Sequence, residues 1–214
     1  MKKWLCYICA LLMVFAVAGC TPNDAASDSD GKATEDFTLP PEIKKMPVEV
    51  SWVIYGNLED LVGEASNIFE GKVTNISFGV FLWETGEPMT PGVDDPKDGM
   101  LFTIYEVKVT HSYKGENDAT VFLRIPGGLE GYREEEQIII LQQAGVTGEY
   151  LHIPIWRGVR KLNIGDSYLF LTKALELHHV PVFYQCAYSP DNSEVDYFYT
   201  YDQIKEYLLQ HPAA

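Results

Sequence analysis

Cysteine is scarce after residue 20, in the part of the chain where a disulfide could stabilise a fold. The chain has four cysteines in 214 residues, and Cys6, Cys9 and Cys20 all lie within the first 20 positions. Cys186 is therefore the single thiol of the remaining sequence, so no internal disulfide can form there. We expect the fold to rest on a hydrophobic core. Cys186 lies in an apolar, strand-like run, which favours a buried structural thiol over a nucleophile.

Positive charge is also scarce. Sixteen Lys and Arg residues stand against 31 Asp and Glu residues, which gives a net charge of -15 at pH 7. Such a surface repels phosphate backbones and anionic lipid headgroups. The composition therefore predicts that the protein does not bind nucleic acid, and that any membrane contact comes from an attached lipid.

The sequence lacks the motifs of the common hydrolases and nucleotide-binding proteins. None of its serines stands in a Gly-x-Ser-x-Gly setting. The glycines Gly127 and Gly128 follow a strand-like run, but the Lys-Ser/Thr pair of a phosphate loop does not follow them. Glu134 opens a run of three glutamates, which is typical of a solvated turn. We predict that the protein is not an enzyme and has no cofactor.

Metal-binding signatures are missing as well. No His-Glu-x-x-His motif is present, and the adjacent His178 and His179 would diverge on a strand. Asp94, Asp95 and Asp98 crowd one short stretch, but reading the first as position one of a calcium loop puts a proline at the third ligand. We predict no metal site. A solvated loop is favoured there, and weak calcium binding stays open as the alternative.

The N-terminus carries a targeting signal. Lys2 and Lys3 precede an apolar run from Trp4 to Val17, which is shorter than the ~20 residues that a spanning helix needs. The run ends in Val-Ala-Gly followed by Cys20, which resembles the lipobox of bacterial lipoproteins. This resemblance implies that residues 1–19 are a signal peptide, that Cys20 is lipidated, and that the protein is lipid-anchored at the extracytoplasmic face of the cell membrane.

The remaining chain divides by composition. Residues after Cys20 up to Asp36 are rich in Asp, Ser, Ala and Thr and almost free of apolar side chains, so they cannot bury enough surface to fold. We predict that residues 20–36 form a lipidated, disordered tether. Residues 37–214 are expected to form one domain.

Hydrophobic periodicity predicts mostly strands within that domain. A short helix is expected to begin at Asn57, and alternation over Phe69 to Thr74 indicates a strand with one buried face. The clearest pattern is a hairpin of Leu101–Tyr113 and Ala119–Ile125 around a polar turn. Further strands are predicted at 137–142, 150–156, 167–173 and 180–188.

A terminal helix completes the prediction. Thr200 and Gln203 have the spacing of a capping box, so we expect a helix to begin there. One short helix, several long strands and a terminal helix predict a mainly β fold, a small antiparallel OB-like β-barrel.

Three stretches support that fold by resemblance: Ala65–Val73, Tyr105–Gly115 with its Tyr-Lys-Gly end, and Gly165–Leu171. In this order they resemble the OB-fold barrel of netrin-like and tissue-metalloproteinase-inhibitor-like domains, and of secreted bacterial proteins that share the layout. The resemblance implies a barrel that serves as a binding module. Family members that inhibit metalloproteases use a free N-terminal cysteine amine held by disulfides, so that mechanism is not implied here.

Tyrosines concentrate near the C-terminus and offer flat apolar faces with a polar edge. We predict a ligand-binding surface on five residues: Tyr197, Tyr199, Tyr201, Trp156 and Arg157. The alternative is that these tyrosines cover the barrel and hold the terminal helix. The sequence therefore predicts a monomeric, non-catalytic binding module for a protein, peptide or glycan of the envelope. A hydrolase without a recognisable motif and a structural envelope component are the alternatives.

Overall fold

A computed structural model of the chain describes residues 37–49, 55–175, 178–181, 187–191 and 199–212. The predicted signal peptide, the tether, Cys20, Cys186 and Tyr197 lie outside these residues. The side chains of His178 and His179 are also outside the description. No helix in the described ranges combines the length and the apolar character needed to cross a membrane.

Strands dominate the described chain. They are β1 (Lys45–Val48), β2 (Asn67–Leu82), β3 (Gly99–Lys114), β4 (Thr120–Pro126), β5 (Ile153–Trp156), β6 (Ser167–Leu175), β7 (His178–Pro181) and β8 (Ala187–Tyr188). Its α-helices are α1 (Leu58–Glu64), α2 (Glu134–Gln143) and α3 (Tyr201–Gln210).

The strand pairing follows a circular order. Antiparallel pairs join β2 to β3, β3 to β4, β7 to β6 and β6 back to β2. Between β4 and β7 the pairing is parallel and rests on one residue pair, Leu123 with His179. Strand β8 adds to β6, and β1 with β5 forms a separate two-stranded parallel sheet.

The mainly β prediction is confirmed, and the main sheet has six strands in the order β2-β3-β4-β7-β6-β8, with β6 also paired to β2. The expected β-barrel is not closed in the described residues. A single bridged pair at the β4–β7 seam is not a continuous hydrogen-bonded ladder, so the sheet is partly open there. The long strands still curl strongly, because twist accumulates along strands of 16 residues such as β2 and β3.

Both faces of the sheet are apolar at the β2–β6 end. Phe69 of β2 and Phe170 of β6 face inward and stack at 5.2 Å. Their neighbours Ile68 and Leu169 point the other way, as successive strand residues must. There they join a second buried group with α1 and α3: Leu61, Ala65, Ile68, Leu169, Leu171, Tyr188, Ile204 and Leu208. We call this helix-covered part of the outer face the covered end.

The predicted helix starts are confirmed in α1 and α3. Asn57 caps α1 by accepting a hydrogen bond from the backbone N–H of Asp60 at 2.8 Å. Thr200 and Gln203 form the reciprocal capping box at the start of α3. Both motifs satisfy backbone donors that a helix leaves unpaired, so they fix where each helix begins.

The predicted strand at residues 137–142 is wrong, because this segment is helix α2. Its run of isoleucines has strand propensity, but tertiary packing decides the outcome. Ile138 and Leu141 share the buried side of the helix. The fully buried Gln137 side chain accepts from the Leu129 N–H and donates to the carbonyls of Leu129 and Tyr132.

Three other boundaries differ from prediction. The strand predicted at 150–156 begins only at Ile153. Strand β2 continues to Leu82, well beyond the predicted end near Thr74. The predicted strand at 180–188 is instead seen as β7 and β8 on either side of residues 182–186, which are not described. The extension of β2 matters most, since it builds the surface described next.

Candidate functional site

The outer face of β2, β3 and β4 carries an aromatic surface around one arginine. Period-two geometry fixes its members: residues that alternate with the buried Thr103, Tyr105 and Leu123 point outward. We call this surface the open face and define it as Phe81, Phe102, Ile104, Phe122 and Arg124. Ile104 and Arg124 are directly paired across β3 and β4.

A glycine allows Phe81 to lie flat on the sheet. A Cβ placed on Gly79 would come within 2.8 Å of the Phe81 ring, so only glycine leaves room for that ring. Phe102 meets the same ring edge-on, with centroids 5.5 Å apart. The segment after β2 folds back, and Pro88 bridges to the Phe81 backbone. Phe81 is thereby buried as the floor of the open face.

Arg124 lies on this floor. Its guanidinium carbon is 3.7 Å from the Phe81 ring centroid, and one nitrogen, Nη1, donates to the carbonyl of Gly86 at 2.7 Å. Only 9 % of the residue is exposed. Burial lowers the pKa of Arg124, and no carboxylate of the described residues offsets this. The side chain is a buried cation with one carbonyl partner and one aromatic partner.

The guanidinium still has donors to offer. It carries five N–H groups, and the nitrogens without a partner are not sealed from solvent. Phe122 lies two residues before Arg124 on the same face of β4, and it is 47 % exposed. The open face therefore presents apolar ring surface and unused N–H donors side by side, which is the chemistry of a binding surface.

Two of the residues predicted to bind ligand lie at the end of β5. Trp156 is buried and packs against Trp83 with ring centroids 5.9 Å apart. It lines a small cleft of about 170 Å³ together with Lys161 and Glu130. Arg157 is exposed and pairs with Glu49 at 3.3 Å. The cleft has room for a few waters or a very small molecule.

The other two described residues of that prediction belong to the covered end. Tyr199 and Tyr201 pack against its apolar group. The hydroxyl of Tyr201 donates to Glu70 Oε1 of β2, which also accepts from Tyr113 at 3.1 Å and from Lys205 Nζ at 2.8 Å. The structure thus places Tyr201 in a contact that holds α3, as the alternative interpretation expects.

The charges of this cluster stabilise one another. Burial would raise the pKa of Glu70, but the hydrogen bonds from Lys205, Tyr201 and Tyr113 outweigh it and hold that pKa below its ordinary value. The hydrogen bonds to Glu70 and Tyr201 raise the pKa of Lys205. At neutral pH the carboxylate stays ionised and the amine protonated, so neither group is poised for proton transfer or nucleophilic attack.

The side chains of the acidic loop at residues 90–98 contact groups of the same loop. Asp94 accepts from the backbone N–H of Thr90 at 2.7 Å, and Asp95 pairs with Lys97 at 2.7 Å. Hydrogen bonds from Lys97 lower the pKa of Asp95. Within the described ranges no three His, Cys, Asp or Glu side chains are grouped as a metal would require.

The open face was missed by sequence reasoning, although a signal for it exists. The inward positions of β3 and β4 are mostly apolar, with Thr103 as a polar exception, and the outward positions Phe102, Ile104 and Phe122 are apolar as well. A strand that is apolar on both sides must be covered on both or must meet a partner. An arginine among those outward positions, Arg124, marks the place.

The comparisons with known proteins add no family. No protein-family model matches this chain, and no curated protein matches it.

Proposed function

We propose that this chain is a membrane-anchored extracytoplasmic lipoprotein whose OB-like domain is a non-catalytic binding module for a protein, peptide or glycan. The observation that carries the binding role is the open face: exposed aromatic surface beside a buried arginine with unused donors. Interface anchors are enriched in aromatic residues and arginine. The anchors stand on strands, so they are held rigidly before binding, which lowers the entropy cost.

The anchoring part of the proposal rests on the lipobox resemblance and on the charge balance. With 31 acidic residues against 16 basic ones, the protein gains no attraction from anionic headgroups. Firm attachment then needs two acyl chains, because one gives only marginal binding. The diacylated Cys20 would supply them.

Detergent partitioning tests the anchor. The wild-type protein is expected in the detergent phase, whereas Cys20→Ala is expected to be soluble or to stay unprocessed. If exported Cys20→Ala still fractionates completely with membranes, the lipoprotein proposal fails.

A matched pair of aromatic substitutions tests the binding role. Phe122 and Tyr150 are equally exposed, at 47 % and 45 %, but only Phe122 belongs to the open face. Wild type, Phe122→Ala and Tyr150→Ala are each used to capture components from a native envelope extract. A component that wild type and Tyr150→Ala retain, and that Phe122→Ala loses at least about tenfold, supports the proposal.

The same experiment separates the alternatives. Equal retention of every captured component by Phe122→Ala and wild type would remove the open face as the binding surface. A structural envelope component would instead show loss of envelope integrity on deletion, with no dependence on Phe122.

A further inference from the structure

We propose that the open face recognises a carboxylate flanked by apolar side chains, in an acidic-apolar peptide segment of a partner protein, with Arg124 as the carboxylate-binding residue. This inference rests on the proposed binding function and names the chemistry of its ligand.

Arg124 has no carboxylate partner among the described residues, although the chain is rich in carboxylates. At least six other cations in the described ranges have one. They are Lys45, Lys97, Arg133, Arg157, Lys173 and Lys205. Lys114 likewise donates to backbone carbonyls, but among the described Lys and Arg residues Arg124 is the buried one. Burying a charge without an opposite charge is unfavourable, so a ligand that supplies the missing carboxylate gains binding energy there.

The geometry of the Arg124 side chain also suits a carboxylate. A guanidinium presents a planar fork that matches the two oxygens of a carboxylate. The Phe81 ring occupies one face of the Arg124 plane, and the Gly86 carbonyl takes one Nη1 hydrogen. Both contacts orient the fork before binding and leave the other N–H groups for the ligand.

Other anions fit this surface less well than a peptide carboxylate. A polyanion such as nucleic acid would meet the overall charge of -15 and be repelled. A sugar acid needs hydrogen-bond partners for several hydroxyls, but Phe102, Ile104 and Phe122 make most of the open face around Arg124 and offer apolar contact only. The nearest acidic position on that face, Glu106 opposite Phe122, already accepts from Thr74. A peptide carboxylate with apolar neighbours matches both the cation and its surroundings.

The test uses two probes that differ in a single charge. N-acetyl-phenylalanine carries the carboxylate next to an aromatic ring, and N-acetyl-phenylalaninamide has the same ring without the charge. Both are titrated into the purified full-length protein, and NMR follows the Arg124 side-chain N–H and the Phe122 ring. The acid is expected to bind about tenfold more tightly than the amide, the effect of one charge-assisted contact. Glucuronate is expected to bind more weakly than the acid.

Substitutions test whether Arg124 causes the preference for the acid over the amide. Arg124→Gln is expected to abolish the preference for the acid, and Arg124→Lys to reduce it, because lysine keeps the charge but loses the fork. Lys97→Gln removes a cation already paired with Asp95, so the preference is expected to persist. The acid-to-amide comparison in wild type needs no variant and stands even if one of them folds poorly.

Several results would overturn the inference. Equal binding of acid and amide at Phe122 would retain a binding surface but refute carboxylate recognition. Tighter binding of glucuronate would assign the site to glycans. Absence of any shift at Arg124 with the acid would also refute the inference, and the Phe122 capture experiment would then decide the proposed function by itself.

Discussion

The covered end and the open face are two parts of one outer sheet surface, and both set a charged side chain among aromatic rings. At the covered end, Glu70 accepts hydrogen bonds from three donors of the molecule itself. On the open face, Arg124 receives one carbonyl and one ring. Helix α3 supplies two of the three donors to Glu70, Tyr201 and Lys205, whereas no helix of the described ranges packs on the open face.

The difference teaches where to look for function in this fold. Apolar outward positions at the covered end have a structural purpose, because they bury Leu61, Ile204 and Leu208 of the helices. The same type of position on the open face, at Phe122, remains half in solvent. The open face carries apolar side chains as the covered end does, but no helix of the described residues covers it. It is therefore the part of the sheet best suited to bind a partner.

The largest effect is expected from damage to the covered end. Leu208 is 6 % exposed and its neighbour Leu209 is 67 % exposed. Leu208→Ala leaves a cavity under α3 and should lower the free energy of unfolding by about 2–5 kcal/mol. Leu209→Ala is the matched control and should change it by less than about 0.5 kcal/mol. Urea denaturation measures both, and similar losses for the two variants would contradict the assigned packing of α3.

A smaller effect is expected from the Glu70 cluster. Glu70→Gln keeps the shape but removes the charge, so the contacts with Lys205 and Tyr201 weaken. We expect a loss of about 1 kcal/mol, since the cluster is only half-buried. Lys45, which pairs with Glu134 at the surface, provides a control: Lys45→Gln should cost less.

The Glu70 contribution should depend on pH in a defined direction. The folded pKa of Glu70 lies below its ordinary 4.5, so the contribution is complete above that pH and is lost as the pH falls through the folded value. The pKa of Lys205 is raised above 10.5, so its contribution is complete below that pH and is lost as the pH rises further. The stability difference between wild type and Glu70→Gln should be flat from about pH 5 to 10 and should shrink in acid. A difference that grows in acid would contradict the assignment.

Sequence reasoning succeeded where the determining contacts are local. The cap at Asn57, the box of Thr200 with Gln203, and the β3–β4 hairpin depend on residues a few positions apart. It failed at α2, where the buried Gln137 and distant packing override the strand propensity of isoleucine. The open face depends on three strands brought together by the sheet, so no local window contains Gly79, Phe81 and Arg124 at once.

Two Gly→Ala substitutions, at Gly79 and Gly63, are expected to change the free energy of unfolding in opposite directions, each by about 1 kcal/mol. Gly79→Ala pushes a Cβ against the Phe81 ring, so we expect a loss of about 1 kcal/mol through overpacking. Gly63 lies in α1 with no atom within 4 Å of its would-be Cβ, and Gly63→Ala should stabilise by about 0.8 kcal/mol through helix propensity. Thermal unfolding gives both signs. Stabilisation by Gly79→Ala would show that Phe81 does not lie over Gly79.

The smallest effect on stability is expected at the centre of the open face, from Arg124→Leu. Replacing a poorly paired buried charge by an apolar side chain of similar reach is often neutral or stabilising, because the desolvation cost of the charge disappears. The variant also loses the hydrogen bond to Gly86 and the stacking on Phe81, each worth about 1 kcal/mol. We expect these terms to cancel, leaving the free energy of unfolding within about 0.5 kcal/mol of wild type. Urea denaturation at two salt concentrations checks this. A loss above about 2 kcal/mol would show that Arg124 mainly fastens the turn after β2, whereas unchanged stability with lost preference for the acid probe would show that Arg124 serves a ligand rather than the fold.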